Sequence, residues 1–197
     1  YIFTHDSIYL GEDGPTHQPI EHLMSLRLIP GLDVIRPSNS TEIKYAYKYL
    51  FSNSKNPKVL SLTRQNLEYL EYEIEYSDFL NGGYIVSDGS DLTIFASGSE
   101  VNIAFELKEC LKEYSVKIIS VPILNRFNKD KAKQLSTTNL TFTIELGEST
   151  DWSDYVGDVT ESFSIQTFGK SAPQNDLSEH FQLNVGSIEK KIRNYLN

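Results

Sequence analysis

Two histidines, a cluster of acids and one arginine are the residues of this chain best placed to do chemistry. His5, Asp6, Ser7, Glu12, Asp13, Thr16, His17 and Gln18 fall within a single early segment. Most of them sit in or beside the run "GEDGPTHQP" at 11–19, which has no large apolar side chain to contribute to a core. Its glycines reach φ values closed to other residues, and Pro15 and Pro19 remove freedom, so such a loop can hold a shape and aim side chains. The same composition also suits a plain turn joining a strand to a helix. Arg64 directly follows the apolar run "VLSLT". Its planar fork matches phosphate or carboxylate, with a salt bridge at a sheet edge as the alternative. Beside His5, which follows "YIFT", it becomes one half of a candidate phosphate clamp, each charge-assisted bond contributing on the order of 1.5–3 kcal/mol.

The elements that must position these residues alternate. "YIFTHDSIYLG" is a strand running into a loop; "PIEHLMSLRLI" is helical, with Pro19 at its first position. "LDVIRP" is a strand. "NSTEIKYAYKYLFSN" is a helix whose Asn39 and Glu42 form a capping box and whose Ile43, Ala46, Tyr47 and Leu50 share a face. "KVLSLTRQN" is the next strand. This order predicts a parallel sheet covered by helices, with ligands beyond the carboxyl ends of the strands, where His5 and Arg64 lie. The acidic, tyrosine-rich stretch 67–83 breaks the rhythm and reads as a connector with a short helical turn.

A second alternation follows. "LTIFASGS" is a strand, and "EVNIAFELKECLKEYS" a helix with Ile103, Leu107, Cys110 and Tyr114 on one face. "VKIISVPIL", "LTFTIEL" and "FSIQTFG" are further strands, and "SIEKKIRNYLN" is a closing helix capped by Ser187. The predicted fold class is α/β: two successive domains with mostly parallel sheets flanked by helices, divided as 1–66, a linker 67–83, and 84–197. The first domain reads as incomplete at its N-terminus, since Tyr1 stands inside a strand in progress.

Composition narrows the function classes. The chain has 197 residues and a net charge of −9, against a sequence-independent grip on nucleic acid or an anionic membrane surface. No apolar run reaches the length of a membrane span. A single cysteine, Cys110, excludes an internal disulfide and, with no visible signal peptide, fits the cytoplasm. Cys110 reads as core, His22 and His180 as packing or surface, and "GKSAP" at 169–173 as a plain turn with anion binding the lesser option. There is no CxxC pair, HExxH or nucleotide-binding glycine loop.

The blocks "THDSIYLGEDGPTHQPIEHLMSLRLIPGLDVIRPSNSTE", "LSLTRQN" and "ASGSEV" resemble, in order and spacing, the transketolases. The resemblance covers essentially the whole chain: the later part of the middle, pyrimidine-binding domain and all of the C-terminal domain. It implies a thiamine diphosphate enzyme, with Mg2+ or another divalent cation, that moves a two-carbon ketol unit from a ketose phosphate to an aldose phosphate. It implies a homodimer with active sites between subunits, and a chain that is inactive and without cofactor affinity when isolated. By position, His5 and Arg64 would hold the substrate phosphate. Asp13 would accept a hydrogen bond from the acceptor's C2 hydroxyl. His17 would be the catalytic residue, close to the cofactor and bonded to the donor's C1 hydroxyl and C2 oxygen. The resemblance places no metal ligand in the chain; the glutamate that activates the cofactor and the "GDG" motif would lie elsewhere. Tyr9 and Met24 depart from the family's usual small residues. Two other readings stand beside this one: a non-catalytic dimerisation or binding module working with a separate partner chain, and a 1-deoxyxylulose-5-phosphate synthase, which shares "DGPTH" but is disfavoured by "THQP" and "RQN".

Overall fold

The computed structural model describes residues 1–52 and 55–196. Three short strands, β1 (Ile2–Thr4), β2 (Asp33–Ile35) and β3 (Lys58–Leu62), form an all-parallel sheet in the order β1-β3-β2. Between them run α1 (His22–Arg27) and α2 (Ser40–Leu50). Thr4 pairs with Leu62 at the carboxyl end, so His5 and Thr63 leave adjacent strands side by side. The segment after β3 carries a short helix, α3 (Tyr76–Leu80), whose Phe79 is fully buried against Ile35, Ala46 and Leu60.

The second sheet has five strands: β4 (Tyr84–Ser87), β5 (Leu92–Ala96), β6 (Val116–Ser120), β7 (Leu140–Ile144) and β8 (Glu161–Phe163). Their order is β4-β6-β5-β7-β8; β4 runs antiparallel to β6 and the rest are parallel. β5 and β6 are buried at every position and β7 at all but its first, polar Thr, Lys and Ser included, as expected of strands covered on both faces. The covering helices are α4 (Glu100–Cys110), α5 (Lys129–Leu135), α6 (Trp152–Val156), α7 (Gln174–His180) and α8 (Val185–Leu196).

Several expectations change. α1 starts at His22, not Pro19; the proline that opens a helical turn is Pro15, at the head of a 3-10 turn Pro15–His17. In α2 the buried positions are Glu42, Ala46 and Tyr49, while Tyr47 is exposed, because the helix turns a polar anchor, Glu42, toward the second sheet. Asn39 caps α2 as expected, accepting from the Glu42 N–H at 2.9 Å. Position 53 of that reading, and Asn197 of the closing helix, lie outside the described residues. Cys110 ends α4 exposed rather than in the core. α8 begins two residues before Ser187 and is capped by Asn184, which accepts from the Ser187 N–H at 2.8 Å. "FSIQTFG" contributes only Phe163 to a strand, and its last residues serve the first sheet's loop, described below. The antiparallel β4 and the helices α5, α6 and α7 had no expectation; each is short, and too brief for a clear period.

Candidate functional site

β1 delivers the chain to His5, whose φ of +65° is left-handed, a conformation few non-glycine residues adopt. The Thr4 hydroxyl lies 2.7 Å from His5 Nδ1 and fixes the ring. Asp6 then turns inward and is buried. A single 3-10 turn, Ile8–Leu10, follows, capped by Ser7. Gly11 (φ +86°) and Gly14 (φ +97°) supply the two sharp reversals that bring the loop back over the sheet end. On the 3-10 turn Pro15–His17, the Thr16 hydroxyl lies 3.1 Å from His17 Nδ1. Each histidine is thus held at Nδ1 by the threonine before it, leaving Nε2 without a protein partner among the described residues.

His5 and His17 line one cavity of about 710 Å³, together with Asp6, Gln18, His22 and Ser61. Its size suits a small metabolite. Asp13 and Arg64 are not among its walls. Both are exposed; Arg64 follows Thr63 at the neighbouring strand end and makes no ion pair among the described residues. His22, expected to be packing or surface, faces the cavity from the start of α1, and Asp6, named among the loop's polar groups, follows a half-buried histidine into the interior.

Behind Asp6 lies a buried charge cluster. Arg36, which follows β2, donates to Asp6 Oδ2 through Nε (3.1 Å) and Nη2 (2.9 Å). It also donates to both Glu100 oxygens at 3.1 Å and to Glu145 at 3.2 Å. Arg27 of α1 clasps Glu145 at 2.6 and 2.8 Å and reaches Asp151 at 3.4 Å. The Trp152 indole N–H donates to the same Glu145. Asp6, Arg27 and Arg36 come from the first sheet's side, Glu100, Glu145 and Asp151 from the second. The carboxyl ends of the two sheets therefore meet through ions. Burial drives Glu100 above the usual carboxylate range, only partly offset by Arg36. Burial would do the same to Glu145, but Arg27 and Arg36 hold it below that range. Asp151 is pushed up to about 6, chiefly by burial.

The loop itself leans on the second sheet. Gln18 is buried; its Oε1 accepts from the Lys170 N–H at 2.9 Å and its Nε2 donates to the Gly11 carbonyl at 3.4 Å. The Ser171 hydroxyl donates to the Glu12 carbonyl at 2.9 Å, and the Glu148 N–H to the Ile20 carbonyl at 2.8 Å. Residues 169–171, expected to be a plain turn, are a strap across the loop. Tyr9, half-buried, packs against the second sheet's core, and its carbonyl accepts from Gln65 at 2.8 Å. Burial raises its phenol to about 12, keeping it a neutral packing group. Met24 meets the Thr150 hydroxyl at 3.3 Å, again across the seam. Among the described residues no group of three or more His, Cys, Asp or Glu is arranged to hold a metal ion.

Comparison with known proteins extends this picture. The family described as "Transketolase, pyrimidine binding domain" matches residues 1–69, and "Transketolase-like TK C-terminal domain" matches residues 82–184. Transketolase of Halalkalibacterium halodurans is 38% identical over 98% of this chain and 31% of its own length. Transketolase of Streptococcus pyogenes is 40% identical over 95% of this chain and 27% of its own. The solved transketolase from Leishmania mexicana superposes with a TM-score of 0.88 at 34% identity, covering 98% of this chain and 30% of that one. The chain spans about 30% of the length of the relatives it matches.

Proposed function

This chain belongs to the transketolase family, and from that premise we propose that it supplies the sugar-phosphate grip of a ketol transferase. The reaction is transfer of a two-carbon ketol unit from a ketose phosphate to an aldose phosphate. In this reading residues 1–66 and 84–197 are the later part of a pyrimidine-binding domain and a C-terminal domain, joined by 67–83. His5 and Arg64 hold the phosphate, Asp13 the acceptor's C2 hydroxyl, and His17 the donor's C1 hydroxyl and C2 oxygen. The observation that carries the reading is the shared cavity of His5 and His17, each ring locked by its own threonine.

The chemistry of these groups fits that task. Imidazole Nε2 exchanges hydrogen bonds with hydroxyls, and a guanidinium fork beside it completes a site for a dianion. Walls already formed reduce the ordering that binding requires. A sugar lacking the expected hydroxyl would cover Asp13 or His17 without pairing it, which is how such a loop discriminates.

The family's cofactor, thiamine diphosphate, supplies an electron sink for cleaving the bond beside the carbonyl. The residues described here do not form a cradle for its diphosphate or for a divalent cation: the cavity walls contain no Lys or Arg, and no metal-ligand cluster exists among the described residues. The proposal therefore assigns cofactor and Mg2+ contacts to other residues, and to this chain the positioning of the sugar. A homodimer and a cytoplasmic setting belong to the same proposal, the latter supported by the lone cysteine.

Kinetics of the protein that contains this chain test the assignment. Arg64→Ala is expected to raise KM for phosphorylated sugars by tenfold or more, the equivalent of about 1.5–3 kcal/mol, and to leave unphosphorylated analogues nearly unaffected. His17→Ala is expected to lower turnover with both. Equal effects of Arg64→Ala on the two substrate classes would remove the phosphate grip.

A further inference from the structure

The loop that carries Asp13 and His17 takes one bond from its own sheet's side, Gln65 to the Tyr9 carbonyl at its start, and is otherwise held from across the seam. Its main fastening is Gln18, which is gripped by the Lys170 N–H beyond β8 of the other sheet and itself grips the Gly11 carbonyl of the loop. We propose that Gln18 is a positioning residue for His17, and that the strap 169–171 sets the loop's shape through it. This rests on the sugar-phosphate reading for its functional consequence and stands on geometry for the rest.

Gln18 occupies a socket that leaves it little choice. Its carboxamide accepts from one side of the seam and donates to the other, joining the Lys170 N–H to the Gly11 carbonyl. The socket is closed by Gly169: a Cβ there would lie 2.4 Å from Gln18 Oε1 and 3.0 Å from Gln18 Cβ. A Cβ at 169 therefore drives the carboxamide out of its hydrogen-bonded position and presses on the Gln18 Cβ, which must shift by a few tenths of an ångström. Gly169 is itself buried and has no positive φ that would require glycine, so the close approach to Gln18 is the physical reason for the residue there. Ser171 fastens the same loop at the Glu12 carbonyl, one residue before Asp13. Both segments bearing sugar-directed side chains are thereby tied to the second sheet, and the imidazole of His17 is one peptide bond from the fastened residue. Displacement of a group in a binding site by about 1 Å costs on the order of a hundredfold in rate.

Hydrogen exchange and kinetics on the protein that contains this chain decide the matter. In Gly169→Ala the amides of peptides covering 9–20 are expected to exchange roughly tenfold faster without any sugar present, the effect of one or two lost hydrogen bonds. Those of α2, distant from the strap, keep their rate. Turnover is expected to fall about tenfold or more while KM for the phosphorylated sugar stays within about twofold. Gln18→Ala should reproduce both changes, and Gly169→Ala should add nothing in the Gln18→Ala background, since it acts only through that side chain. Wild-type exchange of 9–20 in Gly169→Ala, or multiplying effects in the double variant, would overturn the proposal. Should Gly169→Ala fail to fold, Ser171→Ala removes the Glu12 fastening alone, and unchanged exchange at 11–14 there counts against the strap. The Arg64→Ala comparison separates the two ideas: its failure removes the phosphate reading, while the exchange data still decide the strap.

Discussion

Arg36 and Arg64 each follow an apolar strand, and burial separates them. Arg36 is 1% exposed and spends its fork on Asp6, Glu100 and Glu145; Arg64 is exposed and makes no ion pair among the described residues. The reasoning that picks out Arg64 from sequence applies equally to Arg36, and only the acids around it distinguish a structural arginine from one available to a ligand. Those acids come from positions 6, 100 and 145, too far apart in sequence for any local pattern to gather them. The proximity of His5 and His17, by contrast, is legible because one short stretch of chain brings both to the same cavity, while Asp13 of that stretch lies outside its walls. Replacing Arg36 by Met should cost about 3–5 kcal/mol, since it leaves Asp6 and Glu100 buried without their arginine while Glu145 keeps Arg27; urea unfolding measures it, and a loss below about 1 kcal/mol would mean that the cluster is not dry. Asp151 adds a pH signature. Its folded pKa of about 6 lies above its ordinary 3.8, so the folded state keeps the proton longer than the unfolded one. The group's contribution to stability is therefore present below about 4 and lost as pH rises toward 6. Asp151→Asn, which mimics the protonated form, should gain in Tm relative to the wild type across that window and then level off. A difference independent of pH would contradict it.

At the scale of elements, the strands and longer helices follow from periodicity and caps, and the shorter ones do not. α2 is legible because Asn39 caps it and eleven residues are long enough to show the helical period; removing that cap with Asn39→Ala should cost about 1 kcal/mol, read by thermal unfolding. Its buried face is misjudged because Glu42, a charged residue, is its anchor: the Tyr84 hydroxyl, the Ser120 hydroxyl (2.7 Å) and the Ser38 N–H (2.6 Å) all donate to it. Burial raises the Glu42 pKa, partly offset by those donors. Hydrophobic pattern alone points to Tyr47 instead of Tyr49. Similarly, β4 carries only four residues and its place beside β6 depends on the turn before it. Gly82 makes that turn, with φ of +93° and room for no side chain: a Cβ would lie 2.7 Å from the Ile123 carbonyl oxygen and the Phe127 nitrogen. Gly82→Ala should destabilise by roughly 1–3 kcal/mol through combined strain and clash.

Across the whole molecule, the two sheets are joined at their carboxyl ends by ions, a buried glutamate and the strap on the loop. The first sheet has only three strands of three to five residues, and its core is correspondingly small. The walls of the cavity lined by His5 and His17 all come from positions 3–61, and the second half of the chain meets that region only from behind, through backbone N–H groups, the Ser171 hydroxyl, a close-packed glycine and buried acids, none of which carries a recognisable motif. The α/β class and the parallel order are legible from the strand-helix alternation, whereas the seam is not, because it is made of residues scattered between 6 and 171. The central claim is that His5 and Arg64 grip one phosphate from adjacent strand ends. A double-variant cycle tests it most directly: KM for a phosphorylated sugar in His5→Ala, Arg64→Ala and both together. A shared phosphate predicts strong non-additivity, a coupling of about 1 kcal/mol or more, that vanishes with the unphosphorylated analogue; additive effects, or equal coupling with both sugars, would contradict it.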